Sequence, residues 1–452
     1  MREAPLFVPC HPPRPARYGG LWRSLVGSHA RNGVAGWSEL AFTDWYVRRN
    51  LLGRIIHIPR HPDAVQRVLL DNAANYRRPR IVKRIFAPFI GEGLFTAEGD
   101  LWRTERRLVA ASFAPAAVTR LTGLMAAGAE RQMAHWPGEG TIDIAGVATE
   151  TTLRIIADAL FSGDPRILTP EAVSHIEAAL VAVGRIRVAA LLGFPELRIG
   201  RVAQRGEVGR RYLRATLTRI VRERGPEGGD DFMGGLIREL HARFPPDQAE
   251  ALAIDNAATF YVAGHETTAN ALAWSVYLLS NLPEVQDRAR AEAQAALAGD
   301  PETLPDRLPY LRQLIDETLR LYPPAPRIER EALGDDDLGD GIRVRRGEHV
   351  SIWPWVIHRH RKLWENPDAF DPDRFAPGTE ARRHRFQYIP FGGGPRICVG
   401  ARFAMVEAQV VLAHWLAARR FAPVPGFIPD PVATVTLRPQ GGLPVRIAPV
   451  NL

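Results

Sequence analysis

The 452-residue chain predicts a mainly α-helical protein with small β-sheets, built as one unit spanning residues 1–452. Three observations predict it. Apolar residues recur at helical spacing through residues 101 to 240, punctuated by Gly and Pro rather than by alternating strands. A run from about Asp247 to Leu282 carries no internal proline; at a rise of 1.5 Å per residue it makes roughly 50 Å of helix, enough to cross a large core. Strand-like stretches fall late in the chain, and no repeat or low-complexity linker divides it.

Taken in order, residues 1–20 (MREAPLFVPCHPPRPARYGG) form a proline-rich extension without the layout of a secretory signal. Helical patterns follow at Leu101 to Ala111, Ala116 to Met133 and Thr151 to Leu160. Pro245 and Pro246 precede the long run. Further helices are expected from Pro283 to Leu297 and from about Tyr310 to Leu321, where Pro323 and Pro324 end the second. Gly341 to Val350 reads as a hairpin arm, and Ala433 to Leu437 with Leu443 to Ile447 as another. The acidic stretch Asp335 to Asp340 lacks the spaced ligands and terminal Glu of a calcium loop and reads as a hairpin turn. His358-Arg-His360 offers no third metal ligand and reads as solvated loop.

Composition narrows the function classes. Hydrophobic residues at 46% and charged residues at 24% are ordinary globular values, which argue against disorder, a collagen-like repeat or a membrane bundle. No stretch is long and apolar enough for a transmembrane helix, so the expectation is a cytoplasmic protein without a transmembrane anchor. The net charge of +8 rests almost wholly on arginine, since lysine occurs only at Lys83 and Lys362. Those arginines are scattered through amphipathic helices, without the basic block or interleaved aromatics of a nucleic-acid binder, and no nucleic acid is expected. Cys10 and Cys398 are too far apart in sequence and setting to suggest a disulfide framework or a multi-cysteine zinc site.

Cys398 lies in Phe391-Gly-Gly-Gly-Pro-Arg-Ile-Cys398-Val-Gly400. The loop fails G-x-G-x-x-G and has no Gly-Lys-Ser/Thr, so a phosphate loop is disfavoured. Three glycines, a cysteine and a glycine opening a helical pattern from Ala401 to Ala417 suit a tight loop that admits a flat ligand close to the backbone. Amides at that helix start would stabilise a thiolate. Taken alone, a lone cysteine reads more readily as a buried residue in a turn.

Phe391, Gly394, Arg396, Cys398 and Gly400 match F-x-x-G-x-R-x-C-x-G, and Ala404 and Glu407 its extension, so the chain resembles the cytochrome P450 family. Further matches in the family's order run from about residue 75 to 440, and the motifs are most similar to those of soluble bacterial-type, fatty-acid hydroxylase-like members. The resemblance implies a triangular prism with haem between a long central helix and the cysteine loop. It implies haem b with Cys398 as iron ligand, Phe391 shielding the sulfur, and Arg396, Trp102, Arg106 and Arg330 contacting the propionates.

In Ala263-Gly-His-Glu-Thr-Thr268, polar groups interrupt an apolar helix, where threonines can back-bond to the helix carbonyls. The resemblance makes Glu266 and Thr267 the proton-relaying acid and alcohol, with Gly264 leaving space for dioxygen. Glu317-Thr-Leu-Arg320 alone reads as a surface ion pair; the resemblance makes it a buried network with Arg374.

Phe95, Ala263, Ala325 and Val435 match substrate-wall positions, and their apolar character points to a small hydrophobic substrate such as a fatty acid or terpenoid. The implied function is haem-dependent monooxygenation with O2 as co-substrate. About fifty residues follow Gly400, too few for a flavin or iron–sulfur domain, so NAD(P)H-derived electrons are expected from an acidic ferredoxin or flavodoxin with its reductase. The alternatives are a peroxide-using or isomerising haem-thiolate enzyme and a non-catalytic haem sensor. Retention of Glu266 and Thr267 argues against both.

Overall fold

The computed structural model describes residues 6–19, 32–51, 53–184 and 201–450. The helices that matter below are α1 (Arg80–Ile90), α2 (Gly99–Ala110), α3 (Ile144–Phe161), α4 (Arg201–Arg224), α5 (Pro246–Ser280), α6 (Pro309–Leu321) and α7 (Ala401–Ala418). Proline stands in the first turn of several helices, including those beginning at Pro62, Pro283, Pro309 and Pro354. Its missing N–H costs nothing there and its fixed φ is already helical. The pattern expected from Ala116 to Met133 is two helices, Pro115–Thr119 and Thr122–Met133, because the chain turns at Arg120 and Leu121.

Contacts divide the chain into two compact units interleaved in sequence: residues 1–77, 125–151 and 267–452 in the first, and 78–124 and 152–266 in the second. Two of the four boundaries fall within α3 and within α5, the latter between Glu266 and Thr267.

Among the described residues, the sheets all lie in the first unit. β1 (Tyr46–Leu51), β2 (Arg54–Pro59), β3 (Tyr76–Arg77), β5 (Ile328–Ala332) and β8 (His349–Ile352) form a five-stranded sheet in the order β1-β2-β8-β5-β3. β4 (Gly140–Asp143), β9 (Arg419–Pro423) and β12 (Pro444–Pro449) form a three-stranded one. The strands pair differently from the hairpins expected at 341–350 and at 433–437 with 443–447. Residues 349–352 pair with β2 and β5, while β6 (Asp336–Asp337) and β7 (Arg343–Val344) make a short hairpin of their own. β10 (Pro431–Ala433) pairs with β11 (Leu437–Pro439), and β12 with β4 and β9, so 433–437 and 443–447 are not partners. The turn joining β6 to β7 includes Asp340 and flanking glycines at positive φ.

The core of this unit packs Val65, Val68, Leu69, Val350, Ile352, Ile357, Phe386 and Ile389, and Trp274 stacks on Tyr322 at 4.0 Å. Among its described residues the second unit consists of helices joined by loops, with no strand. Gly206 and Gly209 let α4 approach the Pro170–Gly184 helix, where a Cβ would lie 2.2 Å from Ala182 and 2.0 Å from the His175 carbonyl. Among the described residues no single helix is long and apolar enough to cross a membrane.

Candidate active site

In the first unit the Phe391–Gly400 loop is held to one conformation. Gly392 and Gly394 have φ of 76° and 67°, in the left-handed region. A Cβ on Gly394 would lie 1.7 Å from the Leu69 carbonyl oxygen, and one on Gly393 2.7 Å from the Phe386 ring. Only glycine satisfies both constraints at residue 394. The Cys398 amide donates to the Phe391 carbonyl at 3.0 Å, and the Ile397 amide to the Gly394 carbonyl at 3.1 Å. The loop thus delivers Cys398, exposed and in no disulfide, to the start of α7. Gly400 caps that helix without a side chain, so first-turn amides can favour an anion. A close-approach glycine loop, an accessible thiol and a helix N-terminus fit a haem held through a thiolate. Phe391 and Arg396 are half-buried, and the Arg330 guanidinium, on buried β5, donates to the Glu329 carbonyl at 2.9 Å. Ala325 is exposed between buried prolines, and Val435 is half-buried. Their segments meet where the Leu437 amide donates to the Pro324 carbonyl at 3.0 Å.

Along α5, Tyr261, His265, Thr268 and Ala269 are buried, whereas Ala263 is exposed and Glu266 and Thr267 are half-buried. Positions 263, 266 and 267 share one helix face, so the accessible face presents a carboxyl and a hydroxyl side by side. His265 points the other way, its Nδ1 donating to the Tyr261 carbonyl at 2.7 Å, and the Thr152 hydroxyl donates to the His265 carbonyl at 2.9 Å. The space beside Gly264 is taken by α3: a Cβ there would lie 2.6 Å from Ile156 Cδ1. At this glycine the structure shows the close approach of α3. On α2, Trp102 and Arg106 are half-buried and one turn apart. Phe95 lies 5.2 Å from the Phe86 ring, with the Arg78 guanidinium 4.1 Å above it.

Glu317, Arg320 and Arg374 come together. Arg320 Nε and Nη2 donate to the Glu317 carboxylate at 2.6 and 2.7 Å, and both side chains are wholly buried. Arg320 also donates to the carbonyls of His358, Pro367 and Ala369 at 2.6–2.8 Å. Arg374 Nε stands 3.4 Å from Glu317, an ion-pair separation without hydrogen-bond alignment.

The His358-Arg-His360 segment is not solvated loop. All three residues are buried. His358 Nδ1 donates to the Arg320 carbonyl at 3.2 Å, and Nε2 accepts from the Ile389 amide at 2.9 Å. Burial, reinforced by Arg320, pushes its pKa down to about 3, so it works as a neutral bridge between chain segments. No group of three or more metal-ligating side chains occurs among the described residues.

Among the described residues, two carboxyls are buried without cationic partners. Glu105, on α2, has its pKa pushed up to about 8 by burial, opposed by the hydrogen bond from Asn256. Glu407, on α7, is likewise raised to about 8 by burial, opposed by the neighbouring Thr268 hydroxyl. Both stay protonated in the folded protein at pH values where an unfolded glutamate is ionised. The folded state therefore binds more protons, and stability falls as pH rises from the ordinary value near 4.5 through about 8. Glu105→Gln is expected to raise Tm by roughly 2–4 °C at pH 8.5 and to leave it unchanged at pH 4. Thermal melts across this window check it; an equal effect at both ends would remove Glu105 as the cause.

Sequence reasoning missed Asp255 and Asn256, although a polar pair inside the apolar run Ala-Leu-Ala-Ile-Asp-Asn-Ala-Ala was a visible departure from a core helix.

Comparison with known proteins agrees with this geometry. A family model described as Cytochrome P450 matches residues 46–442. The chain is 33% identical over 417 residues to cyclooctatin synthase of Streptomyces melanosporofaciens, covering 89% of this chain and 88% of that protein. It is 30% identical over 414 residues to taurochenodeoxycholic 6 alpha-hydroxylase of Sus scrofa, covering 85% and 80%. The crystal structure of a cytochrome P450, CYP102L1, is similar in fold, with a TM-score of 0.77 at 24% identity over 90% of this chain and 95% of that one.

Proposed function

The chain belongs to the cytochrome P450 family of haem monooxygenases, and on that premise we propose that it inserts one atom of dioxygen into a C–H or C=C bond of a fatty acid or terpenoid-like molecule. The observation that carries the reading is the Phe391–Gly400 loop, in which glycine geometry presents the thiol of Cys398 at a helix N-terminus. Cys398 would hold the haem iron as thiolate, with Phe391 beside the sulfur and Arg396, Arg330, Trp102 and Arg106 binding the propionates. Haem, when bound, supplies the activation of dioxygen that side chains cannot. The protein's share is to bind and orient substrate, exclude water and move protons.

Substrate class follows from the candidate wall residues Phe95, Ala263, Ala325 and Val435, which are apolar and mostly small. The relative named as a 6 alpha-hydroxylase supports the hydroxylating reaction type. Electrons would come from an acidic ferredoxin or flavodoxin. The exposed Arg103 and Arg107 of α2 suit it, and salt would weaken such docking.

Glu266 and Thr267, side by side on the accessible face of α5, are the groups we assign to proton delivery. General acid catalysis contributes about 10²–10⁴ in rate. Thr267→Ala is therefore expected to lower product per electron pair by about tenfold and to raise peroxide release, while consumption of reductant continues. Measuring product, peroxide and reductant in one reaction checks this; an unchanged ratio would remove Thr267 from the relay.

A further inference from the structure

The loop Gly91–Thr96, between α1 and α2, is fastened to α5 by two consecutive residues. Asp255 Oδ2 accepts the Glu92 amide at 2.7 Å, and Asn256 Oδ1 accepts the Leu94 amide at 3.0 Å. Each acceptor is fixed by a second partner on another helix. Asp255 Oδ1 pairs with Arg214 of α4. Asn256 Nδ2 donates to Glu105 of α2 at 2.6 Å and to the Leu252 carbonyl at 2.9 Å.

The loop backbone lies directly against α5. A Cβ on Gly91, whose φ is +67°, would lie 2.0 Å from the Asp255 carboxylate, and one on Gly93 2.8 Å from the Asp255 carbonyl. Within the loop, the Thr96 hydroxyl donates to the Gly91 carbonyl at 2.6 Å, closing it on itself. Phe95 follows directly on the tethered Leu94, and its ring is half-buried between flanking residues that are buried. Hydrogen bonds on alternate residues of a short loop leave little freedom to slide, so the ring's position is set by α5 rather than by the loop's own sequence.

We propose that Asp255 and Asn256 are positioning residues that register the Gly91–Thr96 loop on α5 and so fix the Phe95 ring against the substrate, deciding which carbon of an apolar chain is oxidised. The proposal rests on the reading above that Phe95 faces substrate. Arg214 makes α4 part of the same latch, and Glu105 ties in α2.

The test uses haem-loaded protein with dodecanoate as probe and two readouts: amide hydrogen exchange of the loop, and the distribution of hydroxylated isomers. Asp255→Ala is expected to speed exchange of the Glu92 and Leu94 amides by about tenfold and to shift the isomer distribution in the direction that Phe95→Ala shifts it. Asp255→Asn keeps an acceptor for the Glu92 amide but loses the charge facing Arg214. It and Arg214→Gln are expected to move both readouts the same way by less, and they carry the test if Asp255→Ala does not fold.

Unchanged loop exchange in these variants overturns the latch. Faster exchange with the parent's isomer distribution overturns its role in selectivity. If the parent oxidises no fatty acid, the substrate reading fails, while the exchange readout still decides whether the latch exists.

Discussion

Arg320→Met is expected to yield protein that unfolds at least about 3–5 kcal/mol more easily than the parent, the usual cost of breaking a buried ion pair. The substitution leaves the Glu317 carboxylate, at 0% exposure, with only the Asp371 amide at 2.9 Å and the poorly aligned Arg374. It also strips a donor from each of three buried carbonyls, those of His358, Pro367 and Ala369. Each orphaned group adds about 1–3 kcal/mol when considered singly, though such costs do not add. Arg320→Lys keeps the charge but not the planar fork, and is expected to recover only part of the loss. Because the carbonyls outnumber the contacts to Glu317, the double change Glu317→Leu with Arg320→Met should remain destabilised, but by less than the sum of the single changes. Urea midpoints for the set decide it. A parent-like midpoint in Arg320→Met would mean that the pair is structurally idle.

The cysteine loop was legible in the sequence because its requirement is local. Glycine at 394 answers to a positive φ and to the Leu69 carbonyl, and spacing alone shows where such a turn must stand. Helix extents were legible wherever proline marks them, so that Pro283–Leu297 was read residue for residue.

What failed depends on partners distant in sequence. His358 and His360 look solvated in isolation, yet the Arg320 carbonyl and the Ile389 amide use both nitrogens of His358, and His360 stacks on Trp45 at 4.3 Å. Of the late strands, Leu443 to Ile447 was recognised as a strand, whereas Ala433 to Leu437 spans the bend between β10 and β11; pairing was assigned to sequence neighbours, although β8 joins β2 and β12 joins β4 across the chain. Alternation along a strand carries no information about which strand lies beside it. Glu317 with Arg320 shows the same limit, since an i,i+3 pair has one sequence pattern on a surface and in a core. The close packing of Ile156 against Gly264 likewise comes from another helix and leaves no mark in the sequence.

The proposed function turns on Cys398. Its loop has no freedom to re-form around another residue: Gly394 cannot accept a side chain, and the Cys398 amide is committed to the Phe391 carbonyl. On the proposed reading, a serine there would keep the backbone and remove the soft, electron-donating ligand, so the expected effect is on the iron rather than on the fold. The direct measurement is the absorption spectrum of the reduced protein under carbon monoxide, for parent and Cys398→Ser. A strongly red-shifted Soret band in the parent, lost in Cys398→Ser while the melting temperature of the haem-free chain is unchanged, is the predicted result. A parent band at the position of histidine-ligated haem, or an unaltered red-shifted band in Cys398→Ser, would contradict thiolate ligation by this residue.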